Sequence, residues 1–405
     1  MTAVPKERLL TPRFVLLLAS AFGVFLANGL ITPVLPLFVK AAPPEGLGGG
    51  DVAVGVVVAV QAISAIAVRP WLTPKFNLWG VKPIIIGSIV ASGVSFALTG
   101  FAPNIPALIV LRLIFGAGMA ALFIGCLTAV TSLVSPARSG EAISLFSVAP
   151  YLSMGIGPII GVAVFNAYGY ITSFVVAGVV ALVGVIPLLF YKPLPIDEAV
   201  IAEEEELVLK RIYSPAIWPG VVIALGIVGM LSFGAFMPLY APTIPGLEVQ
   251  VAFFILAGVV LLMRTAGGRI PDVLGPKRTG IYATTALIIG MTGLATAMVG
   301  WWAYLAIVPF AIGQAMQYPG LLKLTLDGIS ERDRPVAIST FTLFFDLSQG
   351  FGGLVVGVIA GVAGYRAVFG ASAVAAFIGL MVMLAIVVPR YEAARRKSEG
   401  TTVTL

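Results

Sequence analysis

The chain has 405 residues, of which 59% are hydrophobic and only 10% charged, and its mean hydropathy of +1.07 excludes a soluble globular domain. The formal net charge of +6 does not point to nucleic acid, because the basic residues sit between long apolar runs. With no histidine and one cysteine, Cys126, the chain lacks the usual participants of triad chemistry, zinc sites and an internal disulfide, so neither metal nor cofactor is expected.

Runs long enough to cross a hydrocarbon core, about 20 residues each, occur near 14–39, 52–70, 83–102, 105–134, 142–166 and 170–191. Six more lie near 216–241, 250–266, 279–300, 302–326, 336–363 and 366–388. Backbone groups find no water in lipid, so each run predicts a helix and the fold class is all-α with twelve transmembrane helices. Basic residues precede the first run, as in a secretory signal, but the run continues into "PVLPLFVK" without a cleavage site and is expected to be a retained helix. With a cytoplasmic N-terminus, Lys6, Arg8, Arg13, Lys75, Lys82, Arg138, Lys192, Lys277, Arg278 and the basic tail from Arg390 share that side, and only Lys40 and Arg366 fall outside. That asymmetry puts both termini in the cytoplasm. Trp71, Trp79, Trp218, Trp301 and Trp302 lie at predicted helix ends, as an interfacial belt requires.

Polar residues inside these helices are few. In chain order they are Asn28 on helix 1, Gln61 on helix 2, Arg112 on helix 4, Gln314 and Gln317 on helix 10, and Asp346 and Gln349 on helix 11. Arginine within a span costs at least about 2.5–3.5 kcal/mol, so Arg112 either has a function or snorkels to the outer surface. Asp346 lies near the middle of its run, where desolvation favours the protonated carboxyl, so it is a candidate proton site or a structural acid paired to a neighbour. Phe233 and Phe236 on helix 7, Tyr318 on helix 10 and Phe341, Phe344 and Phe345 on helix 11 could form an aromatic wall or simply pack. Lys323 and Asp327 form either an ion pair at a gate or interfacial charges.

The acidic, proline-flanked stretch 192–215 reads as a cytoplasmic linker between bundles at 1–191 and 216–405. A shift of 195 residues aligns Gly80 with Gly275, Lys82 with Lys277, Gly118 with Gly313 and Gly157 with Gly352. Two such units in one orientation predict a substrate path between them. Tyr151 stands at the position of Asp346 in the first repeat, so the acid is not demanded by the repetition.

On these residues the chain resembles the major facilitator superfamily over nearly its whole length. "GRIPDVLGPKR" is similar to that family's G-x-x-x-D-x-x-G-x-K/R loop, with Gly268, Asp272, Gly275 and Lys277 in register. The matching loop of the first half keeps Gly80 and Lys82 but has Thr73, Asn77 and Leu78 in place of the glycine, acid and arginine, so Asp272 is expected to contribute more to the gate than Asn77. "LIVLRLIFGAGMAA" resembles the helix-4 pattern through Arg112, Gly116 and Gly118. "SMGIGPIIGVAV" resembles the helix-5 motif of exporting branches through Gly157, Pro158 and Gly161, while Ser153 and Val162 depart from it; close helix packing explains the same residues.

The resemblance implies a cavity lined by helices 1, 4, 7 and 10, with helices 5, 8 and 11 nearby. Asp346 and Arg112 are then the proton-coupling residues, Asp346 as the protonation site and Arg112 as a charge that tunes it or holds an anionic group, and Asn28, Gln61, Tyr151, Phe233, Gln314, Gln317, Phe345 and Gln349 are the substrate contacts. The expected protein is a monomeric antiporter that uses protons to export a small amphipathic or apolar compound by alternating access. Proton-coupled uptake of a sugar or organic acid is the alternative. A membrane enzyme lacks a nucleophile and base, and a receptor-like sensor lacks an appended soluble domain.

Overall fold

The computed structural model of the protein describes residues 10–134, 138, 142, 145–146, 148–192, 212–265, 270–329 and 333–401. Most of the expected linker therefore lies outside the described residues. All regular structure in them is helical. The first half contains α1 (Pro12–Ile31), α2 (Val34–Lys40), α3 (Asp51–Trp79), α4 (Val81–Thr99), α5 (Ile105–Ser132), α6 (Val148–Val183) and α7 (Val185–Phe190). The second contains α8 (Ser214–Tyr240), α9 (Val249–Thr265), α10 (Ile270–Val273), α11 (Pro276–Ala295), α12 (Gly300–Leu326), α13 (Arg334–Val382) and α14 (Val388–Thr401). Among the described residues, eight helical segments are long and apolar enough to cross a membrane.

Helix starts follow local chemistry. Thr11 accepts the Phe14 N–H at 3.2 Å ahead of Pro12, and Asn104 accepts the Ala107 N–H at 2.9 Å ahead of Pro106. Two long helical runs are broken by a kink at a glycine: α6 at Gly169 (φ 76°, ψ −171°) and α13 at Gly364 (φ 79°, ψ 175°). Gly80 (φ 78°, ψ 159°) and Gly275 (φ 76°, ψ 157°) likewise precede α4 and α11. Both pairs are 195 residues apart, so the repeat seen in the letters recurs in the backbone at positions open to glycine.

That pairing yields an expected result. No atom lies within 4 Å of a Cβ built on Gly275, and Pro83 Cδ lies 3.9 Å from one on Gly80, so alanine there meets a backbone cost rather than a clash. Gly80→Ala and Gly275→Ala should each lose about 1–2 kcal/mol, read as similar falls in thermal unfolding temperature in detergent.

Two boundaries differ from expectation. Helix α3 runs to Trp79, through residues expected as loop, because the break in helical backbone is confined to Gly80. Past 388, the expected tail is the helix α14, held by Glu392 on Lys277, by the Tyr391 hydroxyl on Asp327 Oδ2, and by the Arg390 guanidinium 5.5 Å from the Trp218 ring centroid.

The chain forms two compact units, one of residues 1–48 and 60–198, the other of 49–59 and 199–405. In the first, α1 packs along α6 with almost no side chain between them. A Cβ on Gly157 would lie 2.6 Å from Gly29 Cα, and one on Gly161 1.9 Å from Leu30 O. In lipid, such close contact supplies the association that hydrophobic burial cannot. In the second unit, Phe233, Phe253 and Phe310 form the aromatic centre, with the Phe233 and Phe310 rings stacked at 5.3 Å. The start of α3 belongs to this unit, where a Cβ on Gly55 would lie 2.5 Å from Gly353 O and 2.7 Å from Gly357 Cα. There the Tyr365 hydroxyl donates to Asp51 Oδ1 at 3.1 Å. Large apolar side chains such as Phe190, Leu262, Phe351 and Val362 remain exposed, as lipid-facing positions require.

Candidate functional site

The first unit's polar centre lies where α3 meets α5. Gly116 permits it: a Cβ there would stand 2.1 Å from Gln61 O, so the two backbones touch. Ser64, one turn beyond Gln61, donates to Leu113 O at 2.7 Å and ties the same helices. Arg112, one turn before Gly116, therefore comes within reach of Gln61 and donates from Nη2 to its Oε1. Arg112 is only 3% exposed, with its Cζ 4.9 Å from the Phe115 ring centroid. Its Nε and Nη1 are buried and have no hydrogen-bond partner among the described residues. Gly118, the last motif glycine, admits α4, since a Cβ there would lie 2.8 Å from Ser92 Oγ.

In the second unit, Gln314 and Gln317 bracket Gly226 of α8. Gln314 Nε2 donates to Gly226 O at 3.2 Å, and a Cβ on Gly226 would lie 2.0 Å from Gln317 Oε1. Gln317 is 1% exposed and donates to Thr284 Oγ1 at 3.3 Å, so it sits inside the bundle. Phe233 is likewise buried in its unit's own core. Phe345 and Phe341 stand edge-on to Tyr318, with centroids 5.9 and 5.5 Å away. Asp346 is half-buried on α13 and engaged with its surroundings, with half-buried Gln349 less than one turn further on. Between them Ser348 donates to Ala224 O at 2.5 Å, holding α13 to α8.

The remaining expected residues are dispersed. Asn28 is half-buried on α1, where its carbonyl accepts the N–H and hydroxyl of Thr32. Gly157, Pro158 and Gly161 are buried, with the two glycines in the α1–α6 seam. The motif lysines reach the last helical segments of their own halves: Lys82 Nζ donates to Tyr191 O at 2.8 Å, and Lys277 pairs with Glu392. Gly268 and the side chains of Asn77, Tyr151 and Asp272 lie outside the described residues. Sequence reasoning missed Ser64, Thr284 and Gly226. Ser64 follows Gln61 by three positions and could have been found by spacing. Gly226 and Thr284 carry no such signal.

The chain as a whole is similar to known proteins. The Major Facilitator Superfamily model matches residues 17–332 and 300–404. An uncharacterized MFS-type transporter of Burkholderia mallei is 26% identical over 378 residues, covering 91% of each chain. Another, YhhS of Shigella flexneri, is 24% identical over 373 residues, covering 89% of each. Among solved structures, a peptide transporter crystallised with sulfate superposes with a TM-score of 0.74 at 15% identity, covering 96% of this chain and 97% of that one. A nucleoside transporter gives 0.71 at 14% identity, covering 92% and 99%.

Proposed function

The chain belongs to the Major Facilitator Superfamily, a family of transporters rather than enzymes, and from that premise we propose that this multi-pass membrane protein exports a small amphipathic compound in exchange for protons by alternating access. Twelve crossings with both termini in the cytoplasm fit the chain: splitting α6 at Gly169 and α13 at Gly364, then adding α9 and α11, brings the eight long apolar segments to that number. The distribution of basic residues supports the orientation. The protein acts as a monomer, its repeats at 1–191 and 216–405 joined by the cytoplasmic linker 192–215.

One observation carries the proton reading. In the sequence of α8, α9, α11, α12 and α13, Asp346 is the only acid, and it is half-buried far from either end of its helix. A carboxyl there needs little compensation when protonated and much more when ionised, so each charge state favours a different exposure of the site. Arg112 supplies a buried positive charge in the first unit, Gln61 orients it, and Asn28, Gln314, Gln349 and Phe345 offer further cargo contacts. The glycines of the α1–α6 seam support the exporting reading, since they match the exporters' helix-5 motif.

The test is gradient-driven transport in reconstituted vesicles. Antiport should concentrate cargo in an acidic lumen as protons leave. Accumulation in an alkaline lumen beyond that of protein-free vesicles would establish the uptake alternative instead.

A further inference from the structure

No aspartate or glutamate occurs in α1, α4, α5 or α6, or in residues 60–79 of α3, yet α5 carries a buried arginine. The only side-chain hydrogen-bond acceptor that Arg112 meets among the described residues is the neutral Gln61 Oε1, while its Nε and Nη1 stay unbonded. The Phe115 ring face at 4.9 Å offsets part of the charge. A guanidinium buried without an anion retains a large desolvation cost, which an entering anion would relieve.

The geometry of the group narrows that anion. Nη2 carries two hydrogens, one beside Nε–H and one beside an Nη1 hydrogen, so whichever of them Gln61 accepts, the other edge keeps two parallel donors. Two parallel N–H groups match the two oxygens of a carboxylate. We propose that this edge is the receptor for a carboxylate on the cargo, and that the transported compound is an organic monocarboxylate with an otherwise apolar body. The inference rests on the transport reading above and adds the substrate class. One cation balances one negative charge; a phosphate monoester or a dicarboxylate would bring surplus charge into apolar surroundings. Because Arg112 is 3% exposed, the carboxylate reaches it only when the packing around α5 opens, as alternating access requires.

Binding can be measured apart from transport. Purified full-length protein is unfolded by heat, followed by tryptophan fluorescence, in hexanoate, benzoate, the corresponding amides, phosphate or sodium chloride at matched ionic strength. The monocarboxylates should raise the unfolding temperature by about 2 °C or more, and the amides, phosphate and chloride should not. Arg112→Lys keeps the charge but loses the fork, and should weaken the apparent carboxylate affinity about tenfold. Arg278→Gln, which removes an exposed cation elsewhere, should leave it unchanged. The proposal is overturned if no monocarboxylate stabilises the wild type, if chloride, phosphate or the amides do so equally, or if Arg112→Lys responds as the wild type does. Carboxylate binding that depends on Arg112, without any pH-driven flux, would sink the transport reading and leave the site standing. Flux of cargo without carboxylate binding would do the reverse.

Discussion

Asp346→Asn is expected to reduce pH-gradient-driven transport to the background of protein-free vesicles while leaving the unfolding temperature close to wild type. Asparagine keeps the size of the side chain and its hydrogen-bonding capacity but cannot release a proton. Asp346 is half-buried, so an uncharged side chain of the same size adds no desolvation cost there, and folding should tolerate the change. What is lost is the difference between two charge states, and with it the free-energy coupling between the proton gradient and the conformational equilibrium. Cargo exchange without a gradient should persist, since exchange requires no net proton movement. Wild-type gradient-driven rates in this variant would make Asp346 structural and place the coupling site elsewhere.

Gly161→Leu should have the largest effect on folding. Even a Cβ at 161 would lie 1.9 Å from the Leu30 carbonyl oxygen and 2.7 Å from its carbon. Both atoms are backbone within α1, so no rotamer change relieves the overlap, and the α1–α6 seam must separate along its length. Overpacking of this kind typically costs about 1–3 kcal/mol, occasionally more. A leucine that forces two helices apart belongs at the upper end, and little folded protein should be recovered from membranes. Gly87→Leu, where nothing lies within 4 Å of the added Cβ, is the matched control and should be recovered normally. Equal recovery of the two variants would mean that α1 and α6 can pack without this contact.

Much of the fold was legible because the signals are local. Length and hydropathy marked the helices, and Gly80, Gly169, Gly275 and Gly364 adopt positive φ at a spacing of 195 that could be counted in the letters. The register between helices was not legible. In a soluble helix the apolar stripe names the buried face, but in lipid the outer face is as apolar as the inner one, so the sequence does not show which way Gln317 or Phe233 points. Both are buried within their own bundle, Gln317 against Thr284 and Gly226, Phe233 against Phe253 and Phe310. The partnership of Arg112 with Gln61 depends on how closely α3 approaches α5. That distance is set by the absent side chain of Gly116, which the sequence marked only as a motif glycine. Residues 49–59 group with the second unit, where Gly55, Gly353 and Gly357 meet backbone to backbone, a contact that hydropathy does not reveal.

The central claim is that cargo and protons move in opposite directions through this protein. It is tested most directly by the pH inside reconstituted vesicles, with no gradient imposed, when a monocarboxylate such as hexanoate is added outside and the signal is compared with that of protein-free vesicles. Entry of cargo in exchange for protons should turn the lumen more alkaline, and the signal should vanish in Asp346→Asn. Acidification of the lumen above the protein-free control, or no protein-dependent change with a monocarboxylate that raises the protein's unfolding temperature, would contradict it.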